Sequence, residues 1–131
     1  MLRAAIAFRD GGYGTPVLVG RDDVPERLRA LGVSDPDSFE LHNSRNSPLV
    51  PAMVDFLYQR LQRRGYLRRD CERMVNQDRN IFGSLLLQLC EGDVMITGTT
   101  RTYAQTLREL RRVIAVAHGR TASCWPITVG Q

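Results

Sequence analysis

The chain has 131 residues, of which 43% are hydrophobic, and a net charge of +4 with an isoelectric point near 9.4. This composition fits one globular domain with a core of ordinary size and excludes a disordered chain. No apolar run approaches the length of a bilayer span, and the apolar stretch within residues 1–10 is too short for a secretory signal, so a cytoplasmic location is expected.

Residues 2–9 read as the tail of a helix closed by Gly11-Gly12. Residues 15–20 (Thr-Pro-Val-Leu-Val-Gly) form a Gly-bounded apolar run, a strand with Pro16 at its first position. Asp23-Val-Pro-Glu26 supplies an N-cap, an early proline and an acid, predicting a helix to Leu31 that stops at Gly32. Phe39-Glu-Leu-His-Asn43 is a second strand, followed by a polar loop to Pro51. Val50, Val54, Leu57 and Leu61 mark one face of a helix ended by Gly65.

A single helix is then expected over 69–89, with Met74, Ile81, Leu85 and Leu89 turned inward and Gly92 closing it. Its middle, Asn76-Gln-Asp-Arg-Asn80, is unusually polar and suits an interface or cleft; Asp78 and Arg79 read there as an ion pair or helix surface. Val94-Met-Ile96 is wholly apolar, predicting a strand buried on both faces. Thr102-Tyr-Ala-Gln105 fits a capping box, and its helix carries Leu107, Leu110, Ile114 and Ala117 on one stripe, with Arg108, Arg111 and Arg112 largely on other faces. Residues 121–129 are a third strand candidate, interrupted by Pro126. Strand–helix alternation of this kind predicts an α/β fold: three layers, a mostly parallel sheet flanked by helices. The chain begins as if in mid-helix and stops directly after an apparent strand, so residues 1–131 are expected to be part of a longer domain.

The segment 93–108 is the most informative. A strand, a Gly/Thr loop and a helix start in that order aim backbone N–H groups and the positive end of a helix dipole at one point. Thr97, Gly98, Thr99, Thr100, Arg101, Thr102 and Arg108 surround that point, a set suited to phosphate or another anion. The plainer readings are a turn-making loop and, for Arg108, a solvated helix arginine. Gly11-Gly-Tyr-Gly14 precedes a strand instead of following one and reads as a turn.

All 18 basic residues are arginine, so no Schiff base, P-loop lysine or lysine base comes from this segment. Arginines are spread along the chain, often beside acids, and aromatics make up only 7%, which argues against nucleic acid as a partner. Cys71, Cys90 and Cys124 are odd in number and lack CxxC spacing; free, buried or half-buried thiols are expected, with no disulfide framework and no zinc site. His42 and His118 have no sequence partner for a metal pair or catalytic dyad. No residue is assigned as catalytic or as a metal ligand.

Several ordered motifs carry a family resemblance. Phe56-Leu-Tyr-Gln-Arg-Leu-Gln-Arg-Arg-Gly65, Met74-Val-Asn-Gln-Asp-Arg-Asn-Ile-Phe82, Met95-Ile-Thr-Gly-Thr-Thr-Arg-Thr-Tyr103 and Leu110-Arg-Arg-Val-Ile114 together resemble the phosphotransacetylase-like (phosphate acetyl/butyryltransferase) domain of bacterial NADP-dependent malic enzymes. The resemblance covers nearly the whole chain and implies its N-terminal portion. It implies one lobe of a two-lobed α/β fold of the isocitrate/isopropylmalate dehydrogenase-like kind, and a regulatory, oligomerising module that senses acetyl-CoA. NADP, a divalent metal and the malate chemistry are implied only for a separate catalytic domain of the parent.

The transferases' phosphate stretch reads roughly SGxxxSTAxTLRP. Gly98 and Thr106-Leu-Arg108 match it, while Thr97, Thr102, Tyr103 and Glu109 replace its Ser, Ser, Thr and Pro. Tyr103 would put a ring into the phosphate site, and Glu109 a negative charge beside it. The transferases' Ser/Arg/Asp group belongs to a later part of the domain. The alternative implied is a working transferase moving an acyl group between CoA and phosphate.

Overall fold

In the computed structural model, residues 1–89, 92–97 and 101–114 are described. Two short strands set the layering: β1 (Val17–Val19) and β2 (Glu40–His42) pair in parallel, with Val17 opposite Glu40 and Val19 opposite His42. Successive side chains of a strand point to opposite faces. Val17 and Val19 accordingly join one apolar cluster, while Leu18 joins another on the far side. The second cluster is small. Leu28, Val33 and Phe39 form its centre, with Leu2, Ala5 and Ile6 of α1 (Leu2–Asp10) and Val24 of α2 (Val24–Ala30) packed on it.

The main core lies on the other face and is built from four helices. In α3 (Val50–Leu61), Met53, Val54, Leu57 and Leu61 are buried, the face expected from the 4-3-4 spacing. The turn that follows ends at Gly65, whose φ of 82° is the left-handed conformation that favours glycine. Cys71 and Val75 of α4 (Arg68–Gln77) are buried against α3. From Asn80 through Leu86, every residue of α5 (Arg79–Gln88) is buried, as for a helix surrounded by other elements. Helix α6 (Tyr103–Val113) packs on α5 and completes the cluster through Val113. No helix among the described residues is long and apolar enough to cross a membrane.

Three expectations are corrected. The single helix over 69–89 is two helices, α4 and α5, broken at Asp78, where φ is −113° and ψ 107°. The Asp78 N–H closes α4 on the Met74 carbonyl, and its Oδ1 accepts from the N–H groups of Asn80 and Ile81 at the start of α5. The polar run 76–80 is thus a helix junction, where an aspartate caps better than it propagates.

The run Val94–Ile96 is not a strand buried on both faces. Val94 and Ile96 are 80% and 71% exposed, and only Met95 turns inward. Its thioether packs over Gly83, where an added Cβ would meet Met95 Cε at 3.1 Å, and it accepts from Ser84 Oγ at 3.7 Å. The segment is docked by one side chain, and among the described residues β1 and β2 pair only with each other.

The third correction concerns α6, which buries Thr106, Glu109 and Val113 instead of the Leu107–Leu110–Ile114 stripe. Leu107 and Leu110 are half-buried and Ile114 is exposed. The helix is turned so that Glu109 meets a buried polar cluster. Ala117 and the strand candidate 121–129 lie outside the described residues.

Candidate functional site

The polar cluster starts at the junction between α4 and α5. While Asp78 Oδ1 caps α5, its Oδ2 accepts from Arg101 Nη1 at 2.8 Å. The same Nη1 donates to Glu109 Oε1 from the next helix. The other Glu109 oxygen accepts from Asn80 Nδ2 at 2.7 Å, and Asn80 Oδ1 accepts from Thr97 Oγ1 at 2.6 Å. The Asn80 carbonyl accepts from Ser84 Oγ at 2.5 Å. One connected network therefore ties both described ends of the 97–101 loop to α5 and α6.

Burial makes these contacts costly to break. Glu109 is 5% exposed and Asn80 9%, and an unpaired buried polar group loses its hydration without compensation. Burial opposes the charge on Arg101, but the hydrogen bonds and charges of Asp78 and Glu109 outweigh it and hold the guanidinium above its ordinary pKa. A guanidinium suits this task because its fixed N–H fork can serve several acceptors at once. Two buried oxygens, Asn76 Oδ1 and Thr106 Oγ1, have no hydrogen-bond partner among the described residues.

The sequence-predicted site residues divide into three groups. Thr97 and Arg101 join the network. Thr102 caps α6, its Oγ1 accepting the Gln105 N–H at 3.4 Å, which supplies one half of the expected capping box. Arg108 is exposed and points into a groove on a different face of α6 from Glu109, lined also by Arg64, Tyr66, Tyr103, Arg111 and Arg112. Gly98, Thr99 and Thr100 lie outside the described residues. Sequence reasoning missed Asp78, Asn80 and Glu109 as partners of Arg101 and Thr97; the polarity of 76–80 was the available signal.

Among the other candidates, His42 is half-buried at the end of β2, with Nε2 2.9 Å from Glu40 Oε1. Cys71 is a buried free thiol, and burial, reinforced by the neighbouring Asp70, pushes its pKa up. His118, Cys90 and Cys124 lie outside the described residues. Among the described residues, no group of three or more His, Cys, Asp or Glu could hold a metal ion.

Comparison with known proteins places this geometry in a family. Residues 1–126 match the family profile of phosphate acetyl/butaryl transferase. The NADP-dependent malic enzyme of Rhizobium meliloti (strain 1021) is 43% identical over 116 residues, covering 87% of this chain and 15% of that protein. A "Probable NADP-dependent malic enzyme" of Rickettsia prowazekii (strain Madrid E) is 32% identical over 133 residues, or 100% of this chain and 17% of the relative. An NAD-dependent malic enzyme of Rhizobium meliloti (strain 1021) is 30% identical over 122 residues, 91% and 16% of the two chains. The chain thus spans about one sixth of the length of these relatives. With the profile match covering almost its whole length, the chain belongs to the phosphate acetyl/butaryl transferase family.

Proposed function

We propose that this chain is the N-terminal part of the regulatory phosphotransacetylase-like domain of an NADP-dependent malic enzyme. In this reading the domain binds acetyl-CoA or another anionic ligand, and the parent converts malate oxidatively to pyruvate in the cytoplasm. The parent's catalytic domain and further copies of the chain are its partners. The lobe is one half of a two-lobed isocitrate/isopropylmalate dehydrogenase-like fold, and the ligand site comprises residues 97–102 with Arg108. NADP and a divalent metal act in the catalytic domain, where malate is oxidised.

The observation that carries the regulatory reading over the transferase one is the state of Arg101. Its guanidinium already serves two carboxylates, Asp78 and Glu109. A phosphate arriving at the loop would compete with both, and their charges would oppose its own. A working transferase must admit phosphate as a substrate; a sensing domain need not. The family match and the malic-enzyme relatives support the same reading. Relatives named for NADP and for NAD both match, in keeping with a segment that does not choose the nicotinamide.

The test uses the full-length parent protein. NADPH formation from malate is followed while acetyl-CoA is titrated, and acetyl phosphate is assayed in parallel with acetyl-CoA and inorganic phosphate. A malate-dependent rate that responds to acetyl-CoA, without acetyl phosphate, is expected. Acetyl phosphate formation would make the chain part of an active transferase, and a rate indifferent to acetyl-CoA would remove the sensing role.

A further inference from the structure

Arg101 is held from its buried side. The side chains of Glu109 and Asp78 are 7% and 14% exposed and that of Arg101 is 32% exposed, so the carboxylates lie beneath a guanidinium that still reaches solvent. Both carboxylates take the same nitrogen, Nη1, and neither uses Nη2 or Nε. The outer edge of the fork keeps the planar donor geometry that fits two oxygens of a phosphate. Geometry therefore admits an anion at Arg101, while electrostatics opposes it, because two negative charges already stand at hydrogen-bond distance from the same group.

Neither carboxylate is free to withdraw. The second oxygen of Glu109 accepts from Asn80 Nδ2 at 2.7 Å, and the second oxygen of Asp78 accepts from the N–H groups of Asn80 and Ile81. Each is thus fixed by contacts that do not involve Arg101, one within α6 and the other at the start of α5. Their other duties differ in what they demand. A helix cap and an acceptor for an amide both need an oxygen, and neither needs a charge, since a neutral amide oxygen accepts as well. What the charge of Glu109 adds is its effect on Arg101 and on whatever approaches Arg101.

We propose that Glu109 is a built-in competitor for anions at Arg101: its fixed charge, together with that of Asp78, keeps inorganic phosphate off the guanidinium and reserves the site for a ligand that adds contacts beyond a single phosphate group. This rests on the reading above in taking Arg101 as an anion contact of the ligand site, and it adds the residue that sets the selectivity of that site.

The test is calorimetric titration of the full-length parent protein with inorganic phosphate. Four forms are compared: unmodified, Glu109→Gln, Asp78→Asn, and Glu109→Gln combined with Arg101→Gln. The amides keep an acceptor for Asn80 and for the start of α5, and circular dichroism checks that each form is folded. Phosphate sites elsewhere in the parent contribute equally to all four. Phosphate is expected to bind about tenfold tighter or more in Glu109→Gln than in the unmodified protein, with a gain in Asp78→Asn as well. Adding Arg101→Gln returns the affinity to the unmodified level. Equal affinity in the unmodified protein and both single variants overturns the proposal, as does a gain confined to Asp78→Asn or one that survives the loss of Arg101. The sensing role fails separately. A parent that ignores acetyl-CoA but shows the Arg101-dependent gain upholds the competitor and refutes sensing; a parent that responds to acetyl-CoA without the gain does the reverse.

Discussion

Replacing Glu109 by alanine tests the polar network at its most buried member. The substitution leaves Asn80 Nδ2 without its acceptor in a residue only 9% exposed, and a buried orphan of this kind costs about 1–3 kcal/mol. It also removes one of the two carboxylates on Arg101. That loss is smaller, because the Arg101 side chain is 32% exposed and keeps Asp78 at 2.8 Å, so about 1 kcal/mol is appropriate. The sum is about 2–4 kcal/mol, short of the roughly 3–5 kcal/mol for breaking a fully buried pair. Glu109→Gln keeps an acceptor for Asn80 and loses the charge, so it costs only about 1 kcal/mol. Urea denaturation followed by circular dichroism reads both values from the shift in midpoint at constant slope. A cycle with Arg101→Ala adds the decisive measurement: residues sharing this network couple by about 1–2 kcal/mol. A Glu109→Ala cost below about 0.5 kcal/mol, the range of ordinary surface substitutions, would refute the reasoning, as would strict additivity with Arg101→Ala.

Two further predictions concern the scaffold. Gly65→Ala forces a side chain into φ 82° where nothing lies within 4 Å of the added Cβ, so the cost is conformational, about 1 kcal/mol, and is measured as a lowered urea midpoint. The Cys71 thiol, its pKa raised in the folded chain, contributes stability that is full below the ordinary thiol value of about 8.5 and is lost as pH rises through the folded one. Stability measured across alkaline pH should therefore fall less steeply in Cys71→Ala than in the unmodified chain, and identical slopes would count against that linkage.

The sequence revealed whatever depended on neighbours in the chain. The Gly-bounded run at 17–19, the apolar spacing of α3 and the stop at Gly65 are local signals, and each is where it was expected. The break at Asp78 was hidden because Met74, Ile81 and Leu85 still fall on a helical repeat across it; both helices feed one core, so the apolar pattern does not register the junction. Only the capping preference of aspartate marked the spot. The strand expected at 94–96 failed for a related reason. An apolar run becomes a strand only beside another strand, and here Met95 finds Gly83 on a helix instead. The partners of the candidate loop were out of reach for sequence reasoning, since Asn80 lies 17 residues from Thr97 and 29 from Glu109.

Helix α6 separates two electrostatic tasks that its sequence alone runs together. Arg108 and Glu109 are adjacent in the chain, yet a step of one residue turns about 100° around a helix. Glu109 therefore faces inward and supplies an anion to Arg101, while Arg108 faces outward into a groove whose lining has no acid. An anion that engages Arg101 competes there with Glu109 and Asp78. The glutamate at position 109 thus leaves the inner face of α6 satisfied by the chain itself.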